Sequence, residues 1–348
     1  MSAPLQVFTQ EGPFELESGA CLPHYHLAYT THGRLNASGD NVVWIFHALT
    51  ANSDPAQWWP GLVGEGKLFD PDRHFIVCVN MPGSCYGSIG PLSIKPGTDE
   101  PYYHDFPFFT TRDMIRAYRP LREFLGINRI HMGIGGSMGG QQLLEWAIEE
   151  PELFQYIVPI ATNARHSPWG IAFNTSQRMA IEADETWKQR KEEAGRAGMR
   201  AARATALLSY RHYDTYMKLQ PGDHADSYQR YQGEKLVRRF SAFSYYTLSQ
   251  SMDSHDTGRG RGGPEFALQR IRAHTLVIGI GTDILFPLTE QEYLAAQIPG
   301  AVFVDIPSLY GHDGFLLEFE QIEKLVRDFV RKEVQEEGPL EKNRLDLP

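Results

Sequence analysis

GGSMG, at residues 135–139, is a Gly-x-Ser-x-Gly sequence that stands between two apolar runs. The run before it, 129–134, predicts a buried strand, and the run after it, 141–150, predicts a helix. A serine between such a strand and helix lies on a sharp turn, where flanking glycines leave room for neighbouring backbone. Without that context the pentapeptide would indicate only a turn containing serine. With it, the sequence predicts a nucleophile elbow centred on Ser137.

The rest of the chain alternates strand-like and helix-like runs. Short runs rich in β-branched residues, typical of strands buried on both faces, occur at 41–46, 75–79, 156–161, 275–280 and 301–306. Apolar residues at helical spacing predict helices over 112–125 and 322–334. Strands that alternate with helices in this way predict a mostly parallel sheet with helices on both sides.

One long segment interrupts this alternation. Residues 165–263 lack strand-like runs and are rich in helix-forming and aromatic residues. Because strand-like runs resume afterwards, a helical cap inserted into the core explains the segment better than an independent helical domain. The predicted organisation is a first core part over 1–164, a cap over 165–263, a second core part over 264–335, and a charged tail over 336–348.

Composition restricts the class of protein. The chain has 348 residues with 42% apolar content, enough for one large core and an inserted subdomain. Its net charge of −10, with acids and bases interspersed, argues against a nucleic-acid partner. Three scattered cysteines do not make a disulfide framework or a zinc site. No signal peptide or membrane-spanning run is visible. We therefore expect a cytoplasmic protein without a membrane partner.

Two further residues follow predicted strands in the order that an elbow serine requires. Asp283 lies just after the 275–280 strand, and His312 follows the 301–306 strand after a short loop. The order Ser, Asp, His along the chain is that of a serine nucleophile, an orienting acid and a general base on a parallel sheet. Alone, Asp283 could cap a helix and His312 could be a surface histidine. Their joint placement favours a triad.

The loop after the first parallel strand predicts an oxyanion-binding site. Residues 47–50 read His-Ala-Leu-Thr and follow the 41–46 strand. We expect the backbone amides of Leu49 and Met138 to face the developing oxyanion. His47 is interpreted as a loop histidine that binds backbone. These residues predict serine-dependent acyl chemistry, but they do not separate hydrolysis from transfer, because both proceed through an acyl-serine.

At this level of detail the chain resembles homoserine O-acetyltransferases, acyltransferases with the α/β-hydrolase fold. The matching segments span nearly the whole chain, and include HALT at 47–50, NMPGSCYGSIGP at 80–91, GGSMGGQQLLEW at 135–146 and GHDGFL at 311–316. The resemblance implies a mostly parallel central sheet flanked by helices, with an inserted helical cap. It places the family's serine, aspartate and histidine on Ser137, Asp283 and His312.

The resemblance also implies the substrate-binding residues. The family's arginine and tyrosine, seven residues apart on a cap helix, fall on Arg203 and Tyr210, which a helix would carry on one face. Such a pair suits the carboxylate of an amino acid. Thr50 matches a threonine that contacts substrate, and Asp313 matches an acid that meets the substrate ammonium. Without the resemblance, Arg203 would be interpreted as a solvated surface charge.

The reaction implied is transfer of acetyl from acetyl-CoA to L-homoserine, in methionine biosynthesis. Acetyl-CoA is a substrate, and neither a cofactor nor a metal is expected. Succinyl-CoA as donor, serine as acceptor, a plain esterase or thioesterase, and a catalytically inactive binding protein stay open. The family implies a homodimer. The basic, glycine-rich segment 256–263 could contact CoA phosphate or serve only as the hinge that returns from the cap.

Overall fold

A single eight-stranded sheet forms the centre of the molecule. The computed structural model describes residues 3–220, 222 and 224–337. The strands lie in the order β1-β2-β4-β3-β5-β6-β7-β8. Their bounds are β1 Gln6–Glu15, β2 Cys21–His32, β3 Val42–Phe46, β4 Phe75–Val79, β5 Ile130–Gly136, β6 Phe154–Ile160, β7 His274–Ile280 and β8 Val302–Ile306.

Helices connect the strands and cover both faces of the sheet. In chain order they are α1 Pro55–Trp58, α2 Thr111–Phe124, α3 Met138–Glu149, α4 Pro168–Glu182, α5 Arg196–Tyr210, α6 Tyr213–Leu219, α7 His224–Val237, α8 Ala242–Asp253, α9 Pro264–Leu268, α10 Leu288–Gln297, α11 Gly314–Leu317 and α12 Phe319–Glu337. Of the helices in the described ranges, none has the length and apolar character needed to cross a membrane. The predicted charged tail lies outside the described residues, apart from its first two, which end α12.

The predicted α/β-hydrolase architecture is confirmed in the central part of the sheet. Strands β3 to β8 pair in parallel, and each strand end lies within two residues of the predicted one. All five residues of β3 are buried, as expected for a strand covered on both faces. Helix α2 matches the predicted 112–125, and α12 extends the predicted 322–334 in both directions.

The N-terminal hairpin was not predicted. Strands β1 and β2 pair antiparallel, with a register shift between Glu11 and Phe14, and β2 continues antiparallel onto β4. Strand β1 alternates between exposed and half-buried residues and contains Gly12 and Pro13, which normally interrupt strands. Pairing with β2 outweighs this unfavourable local sequence, so the edge strand could not be recognised from its own residues.

The sheet separates two apolar layers. Alternate residues of β3 point to opposite faces, so Trp44 packs on one side while Val43 and Ile45 pack on the other. On the first side, Trp44 meets Trp146 of α3 edge to face, with ring centroids 4.9 Å apart. This packing fixes α3 against the strand that precedes the oxyanion loop.

Helices α4 to α9 lie between β6 and β7 in the chain. Helix α5 also packs against the loop that carries His312. At Gly311 a side chain would lie 2.8 Å from the backbone nitrogen of His212, just past the end of α5. This close approach puts the C-terminal end of α5 beside the sheet edge where the strands end. The exact limits of the cap stay a prediction.

Candidate active site

Ser137 sits in a strained turn between β5 and α3. Its backbone has φ 56° and ψ −127°, a conformation that non-glycine residues rarely adopt. The glycines on either side are required by close backbone contacts. A side chain at Gly135 would lie 2.6 Å from the backbone of Gly139, and one at Gly139 would lie 2.2 Å from the carbonyl oxygen of Phe46. The turn therefore presents the serine hydroxyl at the carboxyl end of β5.

Three side chains predicted to act together are joined by hydrogen bonds. The His312 Nε2 atom lies 2.9 Å from Ser137 Oγ, and its Nδ1 atom lies 2.6 Å from Asp283 Oδ2. Because the carboxylate can only accept, Nδ1 carries the proton and Nε2 is free to accept from the serine hydroxyl. All three side chains are buried. The geometry is that of a serine nucleophile with a base and an orienting acid.

The surroundings hold both partners of the serine in place. The second oxygen of Asp283 accepts hydrogen bonds from the amides of Leu285 and Phe286, at 2.8 and 2.9 Å. The Phe286 ring stacks on the His312 imidazole with centroids 5.0 Å apart, and Phe315 meets it edge-on at 5.2 Å. The acid and the base therefore have one orientation each.

The loop after β3 lies directly beside the serine. His47 is buried, which lowers its pKa to about 4, so the ring is neutral. Its Nδ1 donates to the Ala48 carbonyl at 2.8 Å and its Nε2 accepts from the Met81 amide at 3.1 Å. This is the structural role predicted for His47. Within the described part of the chain the Leu49 amide has no acceptor, and the Met138 amide is at the first position of α3, where no intrahelical acceptor exists.

A small cavity adjoins Ser137. Its volume is about 70 Å³, and two surface clefts of about 510 Å³ elsewhere contain no nucleophile with a base. The cavity is lined by both core and cap residues, namely Ala48, Leu49, Thr50, Ser137, Arg203, Tyr210, His312, Asp313, Phe315 and Leu316. Asp283 and Met138 are buried outside the lining. The predicted site residues therefore converge on one place.

The two predicted cap residues face the cavity together. Arg203 and Tyr210 both belong to α5, and the Arg203 guanidinium lies over the Tyr210 ring, 5.4 Å from its centroid. This cation–π contact leaves the guanidinium without a carboxylate partner among the described residues. The Tyr210 ring lies 5.8 Å from the His312 ring. A free positive charge therefore stands close to the base.

Arg211 is a residue of the site that the sequence analysis missed. Its Nε lies 2.8 Å from Asp313 Oδ2, so the acid predicted to meet an ammonium already has a cationic partner. The sequence gives no signal for this contact, since it depends on how the end of α5 packs against the His312 loop. The cavity wall thus contains Arg203 and Asp313, and Arg211 pairs with Asp313 from outside the lining.

The glycine-rich segment 256–263 carries no free charge for a phosphate. Arg259 Nη2 lies 2.6 Å from Glu17 Oε2, and Arg261 Nη1 lies 2.8 Å from Glu145 Oε2. Glu145 is fully buried in α3 and also binds Arg112 at 3.3 Å. The segment, which leads the chain back from the cap, is therefore bound to the core by ion pairs, as the hinge interpretation expects.

A second acid near Asp283 was also missed. Glu290 Oε2 accepts from Asn163 Nδ2 at 2.7 Å, and Asn163 in turn accepts from Gln141 of α3 at 3.0 Å. Burial, and to a smaller degree the charge of Asp283, raise the pKa of Glu290 to about 7, against hydrogen bonds that lower it. Only the folded chain brings these two carboxyl groups together.

Glu290 is expected to make stability depend on pH. Between its unfolded pKa near 4.5 and its folded pKa of about 7, the folded state binds more protons, so the free energy of unfolding falls as pH rises. Glu290→Gln keeps an acceptor for Asn163 and removes the ionisation. The melting temperature of this variant should exceed that of the wild type by roughly 2 °C at pH 8 and by less at pH 5. Equal gains at both pH values, or a gain matched by the exposed control Glu292→Gln, would contradict this.

The arrangement can carry out acyl transfer through a serine ester. His312 can take the Ser137 proton, and the Leu49 and Met138 amides can stabilise an oxyanion. Among the residues the structure describes, no three His, Cys, Asp or Glu side chains are grouped to hold a metal ion.

Comparison with known proteins gives the same fold and more specific relatives. A family model described as alpha/beta hydrolase fold matches residues 41–319. The homoserine O-acetyltransferase of Cyclobacterium marinum is 48% identical, over 93% of this chain and 94% of its own. That of Chlorobaculum tepidum is 43% identical, over 95% of this chain and 96% of its own.

Solved structures with this fold include both transferases and esterases. The homoserine O-acetyltransferase of Bacillus anthracis superposes with a TM-score of 0.87 at 24% identity, covering 94% of this chain and 98% of its own. An acetylester hydrolase from Corynebacterium glutamicum superposes with a TM-score of 0.86, also at 24% identity, covering 94% of this chain and 95% of its own. The fold alone therefore does not separate transfer from hydrolysis.

Proposed function

This chain belongs to the homoserine O-acetyltransferase family of α/β hydrolases, and we propose that it transfers an acetyl group from acetyl-CoA to L-homoserine. The products are O-acetyl-L-homoserine and CoA, which places the enzyme in methionine biosynthesis. The observation that carries the proposal is the cavity that joins Ser137 to the Arg203 guanidinium and to Asp313. An esterase needs the serine and its base, but it has no need of paired charges for an amino-acid acceptor.

In the first half of the reaction, Ser137 Oγ attacks the thioester carbonyl while His312 Nε2 takes the hydroxyl proton. The oxyanion is stabilised by the Leu49 and Met138 amides. Collapse of the tetrahedral intermediate breaks the carbon–sulfur bond, and His312 returns its proton to the departing CoA sulfur. Asp283 stabilises the imidazolium that exists between these steps. The result is an acetyl ester on Ser137.

In the second half, the γ-hydroxyl of homoserine attacks that ester, with His312 again as base. Arg203 and Tyr210 are proposed to bind the amino-acid carboxylate, and Thr50 to contact the substrate. Asp313 is proposed to meet the ammonium, with Arg211 fixing its orientation. The cavity beside Ser137 is small, about 70 Å³, so a bound acceptor would leave little room for water, which favours transfer over hydrolysis.

Arg203→Ala tests the acceptor site. Loss of a charge-assisted carboxylate contact should raise KM for homoserine by about 10- to 100-fold. The rate at which the first equivalent of CoA is released from acetyl-CoA should change by less than about threefold, because the donor does not use this contact. Arg200→Ala is the matched control, since Arg200 lies on the same helix and pairs at the surface with Glu234. An unchanged KM in Arg203→Ala would favour a plain esterase.

Donor and acceptor are tested together by assaying acetyl-, succinyl- and propionyl-CoA against homoserine and serine. The proposal expects acetyl-CoA with homoserine to give the highest kcat/KM. A preference for succinyl-CoA or for serine would assign the chain to another reaction at the same serine. Steady thiol release that ignores the acceptor would indicate a thioesterase.

We also propose that the protein is a homodimer. The cap exposes several large apolar side chains on α5, α6 and α7, namely Leu208, Tyr213, Met217, Leu219 and Tyr231. Exposed apolar residues on neighbouring helices suit contact with a second copy. Light scattering should give the mass of two chains, and a monomer mass at micromolar concentration would contradict the proposal.

A further inference from the structure

One arginine of the cap contacts the loop that carries the oxyanion-binding amide. Arg239 lies two residues beyond the end of α7. Its Nη1 atom donates to the Thr50 carbonyl oxygen at 2.5 Å and to the Tyr86 hydroxyl at 2.9 Å. Thr50 directly follows Leu49, and both residues line the cavity beside Ser137. A single guanidinium nitrogen thus joins the cap to two loops of the core.

Among the described residues, the other hydrogen bonds that hold this loop and its ends come from the core. His47 accepts from the Met81 amide at one end of the loop. At the other end the Ser53 amide donates to Asn80 Oδ1 at 2.8 Å, and Trp58 Nε1 donates to the Asn52 carbonyl at 2.9 Å. Within residues 3–220, 222 and 224–337, Arg239 is the only residue that donates to the Thr50 carbonyl. The middle of the loop therefore depends on the cap.

The contact is not a by-product of an ion pair. Arg259 and Arg261 are held by carboxylates, whereas Arg239 has no carboxylate within 4.0 Å among the described residues. Its charge is directed at two neutral oxygens, and hydrogen bonds from a charged donor are stronger than neutral ones. Tyr86 is itself fixed, since its carbonyl accepts from Asn80 Nδ2 at 2.8 Å and its ring packs edge-on against Phe240. The Nη1 atom of Arg239 therefore has a fixed partner in Tyr86 as well as in Thr50.

We propose that Arg239 is a positioning residue, which holds the 47–50 loop so that the Leu49 amide faces the oxyanion formed at Ser137. This inference rests on the proposed acyl transfer at Ser137. An oxyanion-binding amide must lie within about 2.7–3.1 Å of the oxyanion to be effective. A small displacement of the reacting groups can cost a large factor in rate. Arg239 acts through the backbone and touches no substrate in this role.

Arg239→Ala tests the inference in the full-length enzyme with acetyl-CoA and homoserine. We expect kcat to fall about 10- to 50-fold, less than the 10²–10³ lost when a donor is removed outright. The KM for homoserine should stay within about twofold, since Arg203 and Asp313, which are proposed to bind the charged groups of the acceptor, are not partners of Arg239. Guanidinium chloride at low millimolar concentration should restore part of the activity. Tyr86→Phe, which removes one anchor of Arg239, should give a smaller loss in the same direction.

Arg238→Ala is the matched control, because Arg238 is the adjacent exposed arginine and faces Glu234 at 3.8 Å. It should keep the wild-type kcat. An Arg239→Ala kcat within twofold of the wild type would overturn the inference, as would a loss that guanidinium does not restore. If the wild type shows no transfer that depends on Ser137, the proposed function itself fails. The two failures are therefore distinguishable.

Discussion

Replacing Ser137 with alanine is expected to abolish acetyl transfer, lowering kcat by at least about 10⁴-fold. The reason is that the proposed intermediate is an ester of this hydroxyl, and no other nucleophile lies 2.9 Å from His312 Nε2 among the described residues. Steady-state release of CoA in the presence of homoserine measures the effect. Because only one oxygen is removed, the melting temperature should stay within about 2 °C of the wild type.

Ser176→Ala serves as the control for the Ser137 variant. Ser176 is exposed on α4 and donates only to the Ala172 carbonyl of its own helix. Its removal should leave kcat unchanged. If Ser137→Ala kept its activity, the protein would have to act without the serine ester, or the measured activity would not belong to this site. That outcome would support the alternative of an inactive hydrolase that only binds its ligand.

Asp283→Asn should cost about 10⁴-fold in kcat while leaving the fold intact. The amides of Leu285 and Phe286 hold one side-chain oxygen of residue 283, so the asparagine would keep its carbonyl oxygen there. Its NH₂ group would then face His312 Nδ1, at the position now 2.6 Å away. An NH₂ donor there forces the proton of the imidazole onto Nε2. In that tautomer the ring cannot accept the proton of Ser137.

The Asp283→Asn experiment should compare kcat with that of Asp305→Asn, an exposed aspartate on β8. The control should retain full activity. A loss of less than tenfold in Asp283→Asn would mean that the carboxylate does not set the tautomer of His312. The chemistry would then need another orienting group.

The centre of the site could be predicted because it follows from local sequence and topology. Ser137, Asp283 and His312 each follow a strand that apolar runs reveal, and the carboxyl ends of parallel strands meet at one edge of the sheet. The N-terminal hairpin could not be predicted in this way. Strand β1 is polar, half-exposed and interrupted by Gly12 and Pro13, and only its pairing with β2 identifies it.

The contacts that tune the site depend on tertiary packing. Arg211 reaches Asp313, Glu290 lies near Asp283, and Arg239 reaches Thr50 only because the cap and α10 fold back onto the core. The spacing of these residues along the sequence does not predict such contacts. Conversely, the basic segment around Arg259 and Arg261 left a phosphate contact and a hinge both open in the sequence, and its arginines pair with Glu17 and Glu145.

Acetyl transfer by this chain is proposed to proceed through an ester on Ser137. The most direct measurement mixes the enzyme with excess acetyl-CoA in the absence of homoserine and follows both free CoA and the acetylation of peptides. We expect a burst of about one CoA per active site, with acetyl on Ser137, after which CoA release nearly stops. Addition of L-homoserine should remove the acetyl group and restart turnover. Continued CoA release without homoserine, or acetylation at a residue other than Ser137, would contradict it.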